Sequence, residues 1–304
     1  MENKKFIVKK DYEGLRLDKC LTLFDKDYSR VYYSNLIKEG NVLINGNEVS
    51  PSYKVKENDD ISIIFAKKES NLDLEPYDCP LNIFYEDDYL LVIDKPKGLV
   101  VHPGDGHHND TLVNALIYAK KELSTVNGLE RVGIVHRIDK DTSGLLLVCK
   151  DDFVHNKIAE QLKDHSMHRE YIALVDGVIK TDVGKIIGKI GRDKENRLRM
   201  AIDPIAGKEA ITHFEVLKRY SKYTLIRCKL ETGRTHQIRV HMSSIKHPIV
   251  GDKLYGGSSE IYDNGQLLHA YKLTFYHPIL KKEMSIESPI PKYFNDVLDK
   301  LVEN

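Results

Sequence analysis

Residues 134–149 read Ile-Val-His-Arg-Ile-Asp-Lys-Asp-Thr-Ser-Gly-Leu-Leu-Leu-Val-Cys, a polar centre between apolar edges. His136, Arg137, Asp139, Lys140 and Asp141 fall together, and Thr142-Ser143-Gly144 reads as a turn. Leu145 to Cys149 has the short apolar pattern of a buried strand. A charged loop held by a rigid strand is a common setting for a site. Arg137 and Lys140 flank Asp139 and favour its ionised form. A positioned carboxylate can serve as a nucleophile or a base. Spacing alone also fits a solvated turn with a capping aspartate.

Two further stretches carry candidate groups. His168-Arg169-Glu170-Tyr171 runs into an apolar strand, Ile172 to Val175. Glu231-Thr232-Gly233-Arg234-Thr235-His236-Gln237-Ile238-Arg239-Val240-His241-Met242 ends a strand and starts a helix, whose N-terminus adds positive potential. His236 and His241 are five apart, so a helix would not place them on one face, which counts against a metal pair. His102, His107 and His108 sit in a Gly/Asp/His-rich loop without the partner spacing of a metal site, and read as solvated loop histidines. Cys20, Cys79, Cys149 and Cys228 are scattered, which excludes a zinc module or disulfide framework and fits a reducing cytoplasm.

The elements that must position these groups follow from pattern. With 304 residues the chain holds one large or two modest domains, and 41% apolar with 30% charged residues fits a folded, soluble protein. No run approaches a membrane span, and Met-Glu-Asn-Lys-Lys-Phe at the start shows no apolar signal core, so the expected location is the cytoplasm. Net charge is zero, yet residues 180–246 hold sixteen Lys and Arg against seven Asp and Glu. Such segregation can neutralise phosphates even in a neutral chain.

Residues 14–65 read as a small separate module. A first helix carries Leu15, Leu17, Cys20, Leu21 and Phe24, and a second, capped by Ser29, turns Val31, Tyr32, Leu36 and Ile37 inward and stops at Gly40. Asn45-Gly46 signals a hairpin, and residues 60–64 alternate as a strand. Residues 66–80, polar and closed by Pro76 and Pro80, are a linker by composition. From 81 onward, strands are expected at 83–85 and 90–93 around an Asp87-Asp88 turn. A helix is expected at 111–123 with Leu112, Ala115, Leu116 and Ala119 inward, and another from Val154 to Leu162. Basic antiparallel strands fill 183–231, a strand spans 267–275, and a helix closes the chain over 291–301.

His136-Arg-Ile-Asp-Lys-Asp-Thr-Ser-Gly144 resembles the catalytic motif of the RluA-type pseudouridine synthases. Arg169-Glu-Tyr171 resembles the family's second motif, residues 231–242 its third, and Leu267 to Phe275 its apolar coda; the segment Lys95 to Gly104 is similar to a loop bordering the cleft. The first module resembles the S4 RNA-binding domain in Arg16-Leu17-Asp18, Ser29-Arg30 and Gly40 to Gly46. Together these resemble RluC/RluD-like members with an N-terminal S4 domain.

The resemblance implies an α+β protein. An S4-like α/β module (14–65) and linker (66–80) would precede a catalytic domain (81–304) with a mixed, mainly antiparallel central sheet flanked by helices. It implies Asp139 as nucleophile, Arg239 paired with it, and Tyr171 stacked on the base. Arg137 would fill the stack vacated by the flipped uridine, His136 and Arg234 would contact the RNA, and Leu268 would close the base pocket. Arg16, Arg30 and Lys38 would face backbone phosphates, although their module has no basic excess. Isomerising uridine gains and loses no atoms, so neither cofactor nor metal is expected. The implied partner is RNA, large-subunit ribosomal RNA ahead of tRNA, with the chain acting as a monomer. An RNA-binding ribosome-assembly factor without chemistry would account for the S4-like module and the basic sheet, but would leave Asp139, Tyr171 and Arg239 as coincidence. A carboxylate-based glycoside hydrolase would need a second catalytic acid, and none stands out.

Overall fold

A computed structural model describes residues 3–25, 28, 30–64, 74–104, 106–119, 121–128 and 131–303. The chain divides into two compact units, Met1–Asp73 and Leu74–Asn304.

The first unit packs two helices on a small antiparallel sheet. In chain order it holds β1 (Lys4–Ile7), α1 (Leu17–Phe24), α2 (Arg30–Lys38), β2 (Val42–Ile44), β3 (Asn47–Glu48) and β4 (Asp60–Ile63), with sheet order β1-β4-β2-β3. The strands are short and alternate, with Val42, Ile44, Ile61 and Ile63 buried beneath Leu17, Cys20, Leu21, Leu36 and Ile37. Both residues of Asn45-Gly46 take positive φ, which is what a two-residue hairpin between β2 and β3 demands. The expected inward face of α2 needs one addition. Tyr33 is fully buried while Tyr32 is only half-buried, because the ring packs inward and its hydroxyl reaches the Asp25 carbonyl. The proposed cap Ser29, the side chain of Val31 and most of the linker, 66–73, lie outside the described residues.

The second unit is built on one mixed sheet of ten strands. They are β5 (Asn82–Glu86), β6 (Leu90–Lys95), β7 (Ser143–Cys149), β8 (His168–Asp176), β9 (Val183–Arg192), β10 (Met200–Ile202), β11 (Lys208–Arg219), β12 (Tyr223–Leu230), β13 (Leu268–His277) and β14 (Lys282–Glu287). The order is β10-β9-β11-β12-β8-β13-β7-β6-β5, with β14 also on β13. All pairings are antiparallel except β13 with β7. Its helices are α3 (Leu112–Tyr118), α4 (Asp152–Lys163), α5 (Gln237–Ser244) and α6 (Lys292–Leu298).

Every residue of β7 is buried, as its continuous apolar run requires of a central strand. Gly144 meets β13 so closely that a Cβ would lie 2.3 Å from the Ala270 carbonyl oxygen. That approach seats the 136–143 loop against the strand carrying Leu268. Two helices are shorter than the periodicity implies. α3 ends at Tyr118 and Ala119 is exposed, and α6 ends at Leu298. Apolar spacing continues past both ends, and Leu123 and Leu301 are still half-buried, but from segments that are no longer helical.

Candidate functional site

Asp139 lies in the turn just before β7, and buried contacts fix that turn from behind. The Lys95 ammonium, fully buried, donates to the carbonyls of Pro96, Leu99 and Lys140 at 2.8, 2.8 and 3.0 Å. The Gly98 amide also donates to the Lys140 carbonyl, and Gln266 donates to the Thr142 hydroxyl. Burial pushes the Lys95 ammonium down to about 7, against the pull of Asp139, Asp141 and Asp94. The backbone just after Asp139 is therefore held by hydrogen bonds that do not engage its carboxyl.

The carboxyl meets α5. Arg239 donates from Nη1 to Asp139 Oδ2 at 3.1 Å, and from Nε and Nη2 to the two oxygens of Asp252 at 2.7 and 2.9 Å. The Arg239 side chain is 9% exposed and that of Asp252 2%, against 16% for Asp139. Burial works against the Arg239 charge, but Asp252 and Asp139 more than offset it and raise its pKa. The bidentate grip of Asp252 leaves one edge of the guanidinium for Asp139, and the Tyr255 ring lies beneath it, 4.9 Å from Cζ. Asp252 was not singled out from sequence. Its signal is the glycine-bracketed stretch Gly251 to Gly257, which bends the chain sharply enough to present it.

His236 approaches the other carboxyl oxygen, with Nε2 4.0 Å from Asp139 Oδ1. The Tyr255 hydroxyl accepts the Met200 amide at 2.8 Å and lies 2.8 Å from His236 Nδ1. A hydroxyl that accepts from an amide has its proton free for the imidazole. With that proton donated to Nδ1, the ring proton would sit on Nε2, toward Asp139. Burial lowers the His236 pKa and favours this neutral ring, although Asp139 opposes the shift. His236 and His241 diverge as expected, since His241 is buried with Nδ1 2.9 Å from the Thr212 hydroxyl.

A cavity of about 80 Å³ opens at Asp139, lined by Arg137, Arg169, Tyr171, Leu230, Arg234, Arg239 and Leu268 among others. A second hollow of about 350 Å³ shares Arg137, Asp139, His236 and Arg239, and extends along Val100 to Gly104 and His107. Tyr171 and Leu268 are buried in the walls, and Arg137 is exposed at the point common to both hollows. Burial raises the Tyr171 pKa, with the neighbouring Arg169 charge working against the rise. The arrangement sets one carboxylate oxygen beside a slot with a flat aromatic wall and an aliphatic wall, suited to a planar heterocycle.

Two sequence expectations need correction. His136 does not line the cavity. It is buried, and its Nε2 accepts the Leu147 amide of β7 at 3.0 Å, so its place in the motif is to brace the strand. Burial, helped by Arg169, pushes its pKa down to about 3. His102 is not a solvated loop histidine. Its Nδ1 is buried without a partner among the described residues, and burial pushes it down to about 4. His107 bridges Asp110 and Lys140 at 2.6 and 3.1 Å, while His108 is exposed.

Arg169 was quoted within its motif but given no role, and it turns out to be a buried guanidinium in the cavity wall. In the first unit, Arg16 and Arg30 both pair with Asp18, at 3.0 Å each, and Lys38 is exposed. The basic span 180–246 is partly neutralised on its own sheet, through Lys185–Glu231, Arg219–Asp182, Arg227–Glu215 and Lys218–Glu303. Among the described residues no helix is long and apolar enough to cross a membrane.

Residues 89–244 match the RNA pseudouridylate synthase family, and residues 15–61 match the S4 domain. An uncharacterized RNA pseudouridine synthase of Bacillus subtilis (strain 168) is 45% identical over 95% of this chain and 95% of its own length. A protein of Neisseria meningitidis serogroup B named ribosomal large subunit pseudouridine synthase D is 43% identical over 93% of this chain and 77% of its own. Among solved structures, human RNA pseudouridylate synthase domain containing 1 superposes with a TM-score of 0.60 at 26% identity, covering 74% of this chain and 89% of that one.

Proposed function

The chain belongs to the RNA pseudouridylate synthase family and is a pseudouridine synthase; on that premise we propose that it acts on large-subunit ribosomal RNA, in the cytoplasm and as a monomer, with Asp139 as the reacting carboxylate. The relatives named as ribosomal large subunit synthases support the substrate. The observation that carries the site is the Asp139 carboxylate, held by a buried arginine at the edge of a slot lined by Tyr171 and Leu268.

The reaction breaks the C1′–N1 bond of uridine and forms a C1′–C5 bond. The C5 proton leaves and N1 gains one, so no cofactor is consumed. The base must first leave its stack, at a cost of a few kcal/mol that is least in a loop or bulge. Arg137, exposed at the meeting point of both hollows, is placed to fill the gap left behind. The uracil then lies against Tyr171, whose burial keeps it a neutral phenol and a stacking surface. Leu268, on the neighbouring strand and the same face of the sheet, closes the pocket beside Tyr171.

Arg239 holds the Asp139 rotamer through Oδ2 and leaves Oδ1 toward the slot, where the neutral His236 ring lies alongside. From there the carboxylate attacks C6 or C1′, or takes a sugar proton; the geometry serves each route. Arg234, Arg16, Arg30 and Lys38 are assigned to the RNA backbone.

The test is tritium release from C5-labelled uridine, with an unmodified large-subunit ribosomal RNA transcript and a tRNA pool as alternative substrates. Release from the ribosomal transcript, together with loss of a mapped pseudouridine in cells lacking the gene, is expected. Release from tRNA alone would move the substrate, and release from neither would remove the proposal.

A further inference from the structure

Arg169 is an anomaly in the cavity wall. It is 7% exposed, its Nε is buried without a hydrogen-bond partner, and no carboxylate pairs with it among the described residues. A buried guanidinium normally carries its counter-charge with it, because an unpaired buried charge costs several kcal/mol. Burial lowers the Arg169 pKa, Tyr171 works against that shift, and the nearby Arg234 adds to it.

The position of the guanidinium shows where that anion would come from. Its Nη1 edge points at Gly233, where a Cβ would sit 2.3 Å from Nη1, 3.2 Å from Cζ and 3.3 Å from Nη2. Gly233 and Thr235 are exposed and Arg234 is half-buried, so this backbone is the rim of the cavity and the Arg169 head lies just beneath it. Arg234 is tied by Nε to the Glu209 carbonyl at 2.9 Å, and its two terminal nitrogens have no partner among the described residues. Two guanidiniums thus flank one glycine at the mouth, whereas the slot beside Tyr171, Leu268 and Asp139 lies deeper. A flat base belongs in the slot. The charged group that must stay at the mouth when a nucleotide enters is its phosphodiester.

We propose that Arg169 and Arg234, on either side of Gly233, form a phosphate subsite that takes the phosphodiester adjoining the target uridine. The inference rests on the pseudouridine synthase reading above. Gly233 is the slot that lets the Arg169 head reach the rim. The subsite fills only when RNA enters, so the unpaired buried charge becomes binding energy for extruding the nucleotide.

The probe is the large-subunit ribosomal RNA transcript, bound by the full chain across about 50–200 mM salt. Arg169→Gln is expected to weaken binding about tenfold and to flatten the slope of log affinity against log salt by about 0.7, the value for one single-strand phosphate contact. Gly233→Ala keeps every charge and displaces only the flexible end of Arg169, so it should fold like the parent and weaken binding in the same direction. Ethylation of the phosphate beside the target uridine should weaken binding more in the parent than in Arg169→Gln, where only Arg234 of the pair remains. A slope unchanged by Arg169→Gln with turnover reduced would place the guanidinium on a neutral base carbonyl and overturn the subsite. Unchanged slope, affinity and turnover, with only a lower melting temperature, would make Arg169 a packing residue and overturn it equally. If the parent releases no tritium from this RNA, the functional reading fails; if it does and the slopes coincide, the subsite alone fails.

Discussion

The Asp18 cluster of the first unit and the Arg239 cluster of the second use the same groups in opposite ratio. Around Asp18, two guanidiniums, Arg16 and Arg30, share one buried carboxylate, and their own side chains are 42% and 53% exposed. Around Arg239, two carboxylates, Asp139 and Asp252, share one buried guanidinium. The first cluster leaves a positive charge over at the surface, and the second leaves a negative one over beside a cavity. A surplus cation in water can attract an RNA backbone but is screened by salt. A surplus carboxylate partly out of water, fixed by a neighbour, can react. On the proposed reading, the same pairing chemistry would serve binding in one unit and catalysis in the other, according to which partner is in excess and how much water reaches it.

The contrast is broken most severely at the shared cation. Arg239→Met leaves Asp139 and Asp252 facing each other with no counter-charge. It is expected to cost about 3–5 kcal/mol of stability, as for other broken buried pairs, and to lower turnover by about a hundredfold while RNA affinity changes only a few fold. Urea unfolding and single-turnover rates check both; equal losses in rate and affinity would make Arg239 an ordinary phosphate contact.

Acid should separate the units next. All thirteen histidines lie after residue 73. Burial holds His136 down to about 3, and His155 and His269 to about 4. A histidine whose folded pKa lies below its unfolded value near 6.5 makes the unfolded chain bind protons first as pH falls. Its stabilising contribution is therefore intact above pH 6.5 and is lost between about 6.5 and 4, on the order of 2 kcal/mol at pH 4.5 for one fully buried ring. Asp94, Asp152 and Asp176, raised by burial, act in the opposite direction nearer the carboxylate range. Asp18 is lowered, chiefly by its hydrogen bond with Arg16, so the first unit loses that contribution only in stronger acid. Amide exchange at pH 7 and pH 4.5 should show protection falling in the second unit well before the first; a parallel fall would contradict the assignment.

The smallest effect belongs to the exposed cluster. Arg30→Gln should weaken RNA binding by only about two- to threefold, with a salt slope flatter by about 0.7 and turnover at saturating RNA unchanged. A loss of saturated turnover would mean that the first unit does more than position the RNA.

Much of this arrangement was legible in the chain itself. The run Leu145 to Cys149 announced a buried strand, Asn45-Gly46 a hairpin, and the three motifs named Asp139, Tyr171 and Arg239, which line one cavity. What escaped was what sequence neighbours do not share. His136 is three residues from Asp139, yet the backbone turns between them and sends one ring under β7 and the other side chain to the cavity. Asp252 lies thirteen residues beyond Arg239, at a distance no helix period specifies. Arg169 is two residues before Tyr171, so strand alternation puts both on one face of β8, but nothing in the sequence shows the glycine of another segment against which its head packs. Overlong helices at 111–123 and 291–301 arose because apolar spacing does not separate a continuing helix from a non-helical segment whose side chains pack on the same core.

The most direct test of the surplus carboxylate is Asp139→Asn, which keeps the shape of the side chain and removes its charge. On one RNA, the single-turnover rate of pseudouridine formation should fall by at least about a thousandfold while the dissociation constant stays within about tenfold. Appreciable turnover by this variant, or rate and affinity lost together, would contradict the assignment of Asp139 as the reacting group.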